Sequence, residues 1–297
     1  MRQFICGLGQ RGAIRDLLEK IVNPDHPTFR KFLNAFLNSG LQSIDAFLAR
    51  NPQYEIQGTA AIAAVLIAFE NPQFLNNVDG KIGASDWYGY LWNRMVDGIT
   101  TAADLRKSNN VSFVTFNYER SLEMFLQTAI QHSFGVAPDQ AHRLRKEFDI
   151  HHVYGSLGEL GYGNEVAYGT PAADDEYWSV EALVKNAANS IKVVPAIRHE
   201  AEDEVAKQLM STAERIIFLG FSFDSVNCER LGIRETLPSF RMPGTPPSVF
   251  MTTYGMTASE VNDAKIRLSP SPAVTEELFS TLDKPALAAL REWGLLL

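Results

Sequence analysis

The ten residues Val111–Arg120 constrain the fold more than any other stretch: an apolar run halts on Asn117 and Tyr118, and an amphipathic helix begins at once. Leu122, Phe125, Leu126, Ala129 and Ile130 recur at i, i+3, i+4, i+7 and i+8, the spacing of a helix that lays one face on a sheet. The expected order is strand, polar tip, helix. In open α/β sheets the ligand lies beyond the carboxyl ends of the strands, so an amide and a phenol at such a tip face a pocket rather than the core.

The chain from Asn109 onward has the texture of strands separated by helices, with candidate strands Ser112–Asn117, Ile150–Tyr154, Ile191–Val194, Arg215–Gly220 and Ser248–Thr252. Short apolar runs with helical patterns between most of them suit a largely parallel sheet. Residues 10–108 are mostly helical in pattern: Ala13, Ile14, Leu17, Leu18 and Ile21 mark one face, and Phe29, Phe32, Leu33 and Phe36 another. Ser43 is placed to cap Ile44–Leu48, and Ser85 to cap an aromatic helix holding Trp87, Tyr88, Tyr90 and Trp92, whose rings read as packing groups. Glycines and Pro171 between Leu157 and Asp175, and the prolines of Arg241–Pro247, read as loops, and Ala273–Leu297 as one or two terminal helices. The fold expected is α/β and Rossmann-like, a largely parallel sheet flanked by helices with a large N-terminal helical layer or insertion. It forms a single domain over residues 1–297, with 10–108 the helical layer and 109–297 the parallel-sheet core and C-terminal helices.

At 297 residues and 45% hydrophobic composition the chain can bury a substantial core, which excludes a disordered protein. A net charge of −8 argues against capture of nucleic acid by a positive surface and points to a small molecule or a protein as partner. Cys6 and Cys228 cannot build a disulfide framework or a zinc site of two Cys pairs, and no metal site is expected. No signal-peptide pattern or membrane-length apolar run is visible, so a cytoplasmic setting without a membrane partner is expected.

Four strand exits end in small or hydrogen-bonding residues: Asn117 and Tyr118; Tyr154, Gly155 and Ser156; Gly220, Phe221, Ser222, Phe223 and Asp224; Thr252, Thr253, Tyr254 and Gly255. Glycine lets a ligand approach the backbone, while Ser, Thr and Asn bond ribose hydroxyls or phosphates. For any one exit, turn geometry is the simpler explanation. Four in succession point to a nucleotide-sized pocket.

Here a resemblance becomes specific. Thr115–Phe116–Asn117–Tyr118–Glu119 resembles the Thr-x-Asn-Tyr-Asp motif of sirtuin-like NAD-binding domains, particularly the prokaryotic branch associated with antiphage defence. Ile150–Leu157 is similar to that family's strand ending in His-Gly-Ser, and Ile216–Asp224, with Asn227 after it, to its Gly-x-Ser/Gly segment on the adenosine side. The resemblance spans about residues 111–254. It implies a site for NAD+ or ADP-ribose built from Thr115, Tyr118, Gly155, Ser156, Gly220, Ser222, Asp224, Asn227 and Thr252. It also implies an NAD+ glycohydrolase in which Asn117 holds the water or ribose near the nicotinamide-bearing carbon, acting by orientation and charge stabilisation. The family's His is Tyr154 here, a phenol that is a poor base at neutral pH. His152, on the same strand face as Tyr154, either substitutes as the base or is a buried structural histidine. Family members that deacylate proteins usually carry a zinc module of two Cys pairs, which this chain lacks.

Gly7–Leu8–Gly9–Gln10–Arg11–Gly12 fits G-x-G-x-x-G, yet only Phe4–Cys6 is left for a strand before it, so a phosphate loop, a helix-leading turn and loss of the family's first strand all stay open. Asp45 reads as a first-turn helix residue, Asp174–Glu176 as a solvated cluster, Glu260 as a helix-start residue, and His199 with Glu200 as surface. Outside catalysis, the chain also suits a nucleotide sensor with a decayed pocket, or a structural component whose helical half binds a protein partner or a second copy of itself.

Overall fold

A computed structural model describes residues 27–41, 43–70, 87–161, 168–169, 179–193, 200–236, 249–269 and 278–294. The glycine-rich start, Cys6, the Ala13–Ile21 face, Ser85, Asp174–Glu176, His199 and the Arg241–Pro247 connection lie outside them. The molecule is mixed α/β, with short sheets flanked by helices. It divides into two compact units, the first of residues 1–80, 101–106 and 115–198, the second of 81–100, 107–114 and 199–297.

In chain order the elements are α1 (Pro27–Asn38), α2 (Ile44–Leu48), α3 (Glu55–Phe69), α4 (Trp87–Met95), α5 (Ala102–Ser108), β1 (Phe113–Thr115), α6 (Ser121–Phe134), α7 (Pro138–Arg145) and β2 (Ile150–His152). There follow α8 (Val180–Ser190), α9 (Glu200–Thr212), β3 (Ile216–Phe218), α10 (Ser225–Leu231), α11 (Ile233–Thr236), β4 (Val249–Thr252), α12 (Ala258–Leu268), β5 (Phe279–Leu282) and α13 (Ala286–Trp293).

The first unit is built on α3, whose residues Ala60–Val65 and Ile67 are all buried. A helix apolar on every side belongs inside a core, and α3 is enclosed by its neighbours, α8 foremost. Phe32 and Phe36 of α1, Phe47 of α2 and Tyr54 close one end with ring centroids 5.2–6.3 Å apart. Ser43 caps α2 by accepting from Ala46 N, as its position in the sequence leads one to expect. β1 pairs with β2, and Val153 N extends the pairing by donating to Thr115 O at 2.9 Å.

The second unit carries a three-stranded parallel sheet in the order β3-β4-β5, with Ile216 opposite Val249 and Val249 opposite Phe279. Val249 and Met251 are fully buried and Phe218 nearly so. α13 is tied to this sheet by Trp293, whose ring meets Phe250 edge-on at 5.5 Å and whose Nε1 donates to Ser280 Oγ at 3.0 Å. α4 packs on α13, with Tyr90 OH donating to Leu290 O at 3.3 Å.

Three expectations are corrected. Ala273–Leu297 is not purely helical, because Phe279–Leu282 forms β5: the open edge of β4 supplies backbone partners that no local pattern announces. Ile191–Val194 gives no described strand but an isolated antiparallel bridge between Ile191 and Gly155, with Val194 outside the described residues. β2 stops at His152, where Gly155 N donates to His152 O and turns the chain, so strand alternation does not relate His152 to Tyr154. Among the described residues, no helix is long and apolar enough to cross a membrane.

Cys228 of α10 is buried, and burial pushes its thiol up to about 11, with the Asp224 charge adding to the effect and Arg267 opposing it. A Cys6→Ser protein is therefore expected to give no reaction with an aromatic disulfide reagent when native, and one equivalent of thiol in urea. Rapid labelling of the native protein would contradict this.

Candidate functional site

The first unit carries the Asn117 turn. Thr115 Oγ1 accepts from Asn117 N at 3.1 Å, fixing the chain as it leaves β1. The Asn117 side chain is exposed, with Nδ2 3.5 Å from Glu119 Oε1, while the other Glu119 oxygen accepts from Ser121 N, the first residue of α6, at 2.6 Å. Tyr118 points inward: its OH donates to Asp45 Oδ1 at 2.6 Å, and its carbonyl accepts from Leu157 N. Asp45 lies in the first turn of α2; burial raises its carboxyl above the usual range against the lowering bond from Tyr118.

His152 is engaged through both ring nitrogens. Nδ1 lies 2.7 Å from the Asn117 carbonyl and Nε2 lies 2.7 Å from Glu123 Oε1, with the side chain only 10% exposed. A carbonyl only accepts, so Nδ1 donates to it, and an ionised Glu123 likewise accepts from Nε2, an arrangement that favours the doubly protonated ring. Burial opposes that charge, but the bond to Glu123, its charge, the Asn117 carbonyl and the Glu119 charge outweigh it and raise the pKa above the ordinary histidine value.

Tyr154 is buried, with its ring edge-on to Phe116 at 5.4 Å and 6.5 Å from that of Tyr118. Ser156 Oγ donates to Gly158 O at 3.3 Å. Gly155 has φ +71°, and a Cβ there would lie 2.1 Å from the Ser190 carbonyl oxygen, so the room a side chain needs is filled by the protein's own backbone.

The second unit carries a cleft of about 640 Å³ at the carboxyl ends of its three parallel strands. Gly220 follows β3, Thr252 ends β4, and Lys284 follows β5, and all three line it. Thr252 Oγ1 donates to Phe218 O at 3.2 Å and accepts from Gly220 N at 2.9 Å, so this hydroxyl holds the loop after β3. Within that loop Gly220 has φ +62° and Phe223 φ 53°, the latter a left-handed conformation that costs a non-glycine residue about 1–2 kcal/mol. Arg267 offsets part of this by donating to Phe223 O at 2.7 Å.

α12 turns Glu260, Asp263, Ala264 and Arg267 toward the cleft, spaced i, i+3, i+4 and i+7 on one face. Glu260 completes a capping box with Thr257, and the Thr257 backbone and hydroxyl bonds hold its carboxyl below the usual range. Ser222 and Tyr254 present hydroxyl groups at the exposed wall, and Lys284 pairs with Glu292. Asp224 and Asn227 are not on that wall: Asp224 caps α10 by accepting from Val226 N at 2.9 Å, and Asn227 lies within α10.

Of the sequence-derived candidates, the structure therefore gathers Thr115, Asn117, Tyr118, His152 and Tyr154 around one turn, and Gly220, Ser222 and Thr252 around one cleft. Sequence reasoning missed Asp45 as a partner of Tyr118, Glu123 as a partner of His152, and Arg267 and Lys284 in the cleft. A signal for Glu123 existed: it shares its α6 face with the buried Leu126 and Ile130, at i+3 and i+7. No protein-family model, no curated protein and no solved structure matches the chain.

Proposed function

We propose that this chain is a nucleotide-binding protein of Rossmann-like, sirtuin-like type that takes NAD+ or ADP-ribose in the cleft beyond β3, β4 and β5. The cleft carries the reading. Its volume lies in the range of small-molecule sites, about 300–1,000 Å³. Its position at the carboxyl ends of parallel strands is where open α/β sheets take ligands. Its polar lining holds two cations for a diphosphate, Arg267 and the Glu292-paired Lys284, beside the carboxylates of Glu260 and Asp263, with Ser222 and Tyr254 as hydroxyls for a ribose. Nothing lies within 4 Å of where a Cβ would stand at Gly220, which leaves that backbone open to close approach.

The hydrolytic part of the reading belongs to Asn117 of the first unit and is judged separately. Water adds to the anomeric carbon as the bond to the nicotinamide nitrogen breaks; nicotinamide leaves with the bonding pair, and one water proton passes to solvent. An exposed amide on a fixed turn suits orientation of that water and of the ribose hydroxyls. The motif resemblance further supports a cytoplasmic role in antiphage defence.

One observation favours a second reading, a sensor that binds without turnover: both nitrogens of His152 are occupied and the Tyr154 ring is buried, so neither side chain stands free beside Asn117 as a base. Incubation with NAD+ and chromatography for nicotinamide decide between them. The enzyme reading expects nicotinamide from wild type and a loss of about 100-fold or more in Asn117→Ala. The sensor reading expects thermal stabilisation by ADP-ribose with no nicotinamide. Neither product nor stabilisation would remove both.

A further inference from the structure

The geometry points to Glu123 and His152 as positioning residues that form a protonation-controlled clasp on the Asn117 turn: α6 supplies a carboxylate, β2 an imidazolium, and the group held is the backbone carbonyl of Asn117. Three observations carry it. The two contacts are both 2.7 Å, and with Glu123 ionised both end on acceptors, the arrangement of a ring bearing two protons. Both side chains are about nine-tenths buried, so each charge depends on the other for compensation. The second Glu123 oxygen, Oε2, is buried with no hydrogen-bond partner among the described residues, which leaves the imidazolium as the partner of that carboxylate.

Loss of one proton has a definite outcome. The carboxylate is the stronger acceptor, so Nε2 keeps its hydrogen, and the lone pair exposed on Nδ1 faces the Asn117 oxygen. Two acceptors at 2.7 Å repel, and the carbonyl must turn away, taking with it the peptide that joins Asn117 to Tyr118. The charged groups that act on the ring are Glu123 of α6 and Glu119 of the turn itself, and both favour the protonated form. The sign follows: the clasp is complete below the free-histidine value of about 6.5 and is lost as pH rises through the higher folded value.

The consequence for turnover rests on the reading of Asn117 as the residue that orients water or ribose; the clasp itself does not. The test is a pH titration of the uniformly labelled full chain by nuclear magnetic resonance, following the His152 ring nitrogens and the Tyr118 amide, with the His152 signals identified by their loss in His152→Gln. Two protonated ring nitrogens at pH 6.5, a midpoint above 6.5, and a Tyr118 amide that moves with the same midpoint are expected. Glu123→Gln keeps an acceptor but removes the charge, and should lower the midpoint by about one pH unit or more. A wild-type midpoint at or below 6.5, or a Tyr118 amide indifferent to it, overturns the clasp whatever any variant does. If wild type releases nicotinamide, its rate should fall through the same midpoint, and a rate flat across it overturns the link to turnover. Absence of nicotinamide with the titration intact strikes the hydrolase reading alone.

Discussion

Arg120→Ala is expected to lower the unfolding free energy by about 3–5 kcal/mol, the cost typical of stripping one partner from a buried ion pair. The Arg120 and Glu70 side chains are 1% and 2% exposed. The guanidinium donates to both carboxylate oxygens, Nε to Oε1 at 3.0 Å and a terminal nitrogen to Oε2 at 2.6 Å, and Arg120 N adds a third bond to Oε1 at 3.2 Å. Gly169 N donates to Oε2 at 3.1 Å. Removing the guanidinium leaves a carboxylate inside the protein with two backbone N–H groups and no cation among the described residues. Urea unfolding should show the loss, and Arg120→Met combined with Glu70→Leu, which removes both charges and keeps apolar volume, should recover part of it. A cost below about 1 kcal/mol, the range of exposed pairs, would contradict the burial. The pair joins the residue after α3 to the turn that holds Asn117, so the same variant should also loosen that turn.

Gly155→Ala is expected to cost on the order of 3–5 kcal/mol, from a left-handed backbone that alanine resists together with the bonds broken to relieve a clash. At φ +71° the new methyl would stand 2.1 Å from the Ser190 carbonyl oxygen. That oxygen is backbone and cannot swing aside as a side chain would. Relief requires separating the Gly155–Ile191 bridge and the 2.8 Å bond from Lys192 N to Tyr154 O. Gly135, which ends α6 at φ +61° with nothing within 4 Å, provides the control: Gly135→Ala should cost only about 1–2 kcal/mol. Equal losses in the two variants, read from their urea midpoints, would show that the Ser190 contact carries no weight.

Several helices, α2 and α6 among them, and the first four strands were legible because their signals are local. Ser43 before Ile44 is a cap that needs no distant partner, and Ser112–Asn117 reads as a strand from its own residues, of which Phe113–Thr115 form β1. β5 was not legible: Phe279–Leu282 is four residues long, and only the edge of β4 makes it a strand. The same holds for the site. Asn117 and Tyr118 announce themselves at a strand tip, whereas Glu70 and Arg120 are 50 residues apart, Asp45 and Tyr118 73 apart, and Glu123 and His152 29 apart, distances over which a single sequence records no pairing. Gly155 illustrates the converse. Its glycine was legible as a need for space, but its cause is packing against Ser190 rather than room for a ligand.

Calorimetric titration of ADP-ribose into wild type and Ser222→Trp is the most direct measure of whether the cleft at the ends of β3, β4 and β5 is a nucleotide site. Ser222 is exposed on the cleft wall, so an indole there fills the cavity without disturbing the core. Binding to wild type and at least a tenfold loss in Ser222→Trp at an unchanged unfolding midpoint are expected. Silence from wild type, or the same affinity in both proteins, would contradict a nucleotide site in the cleft.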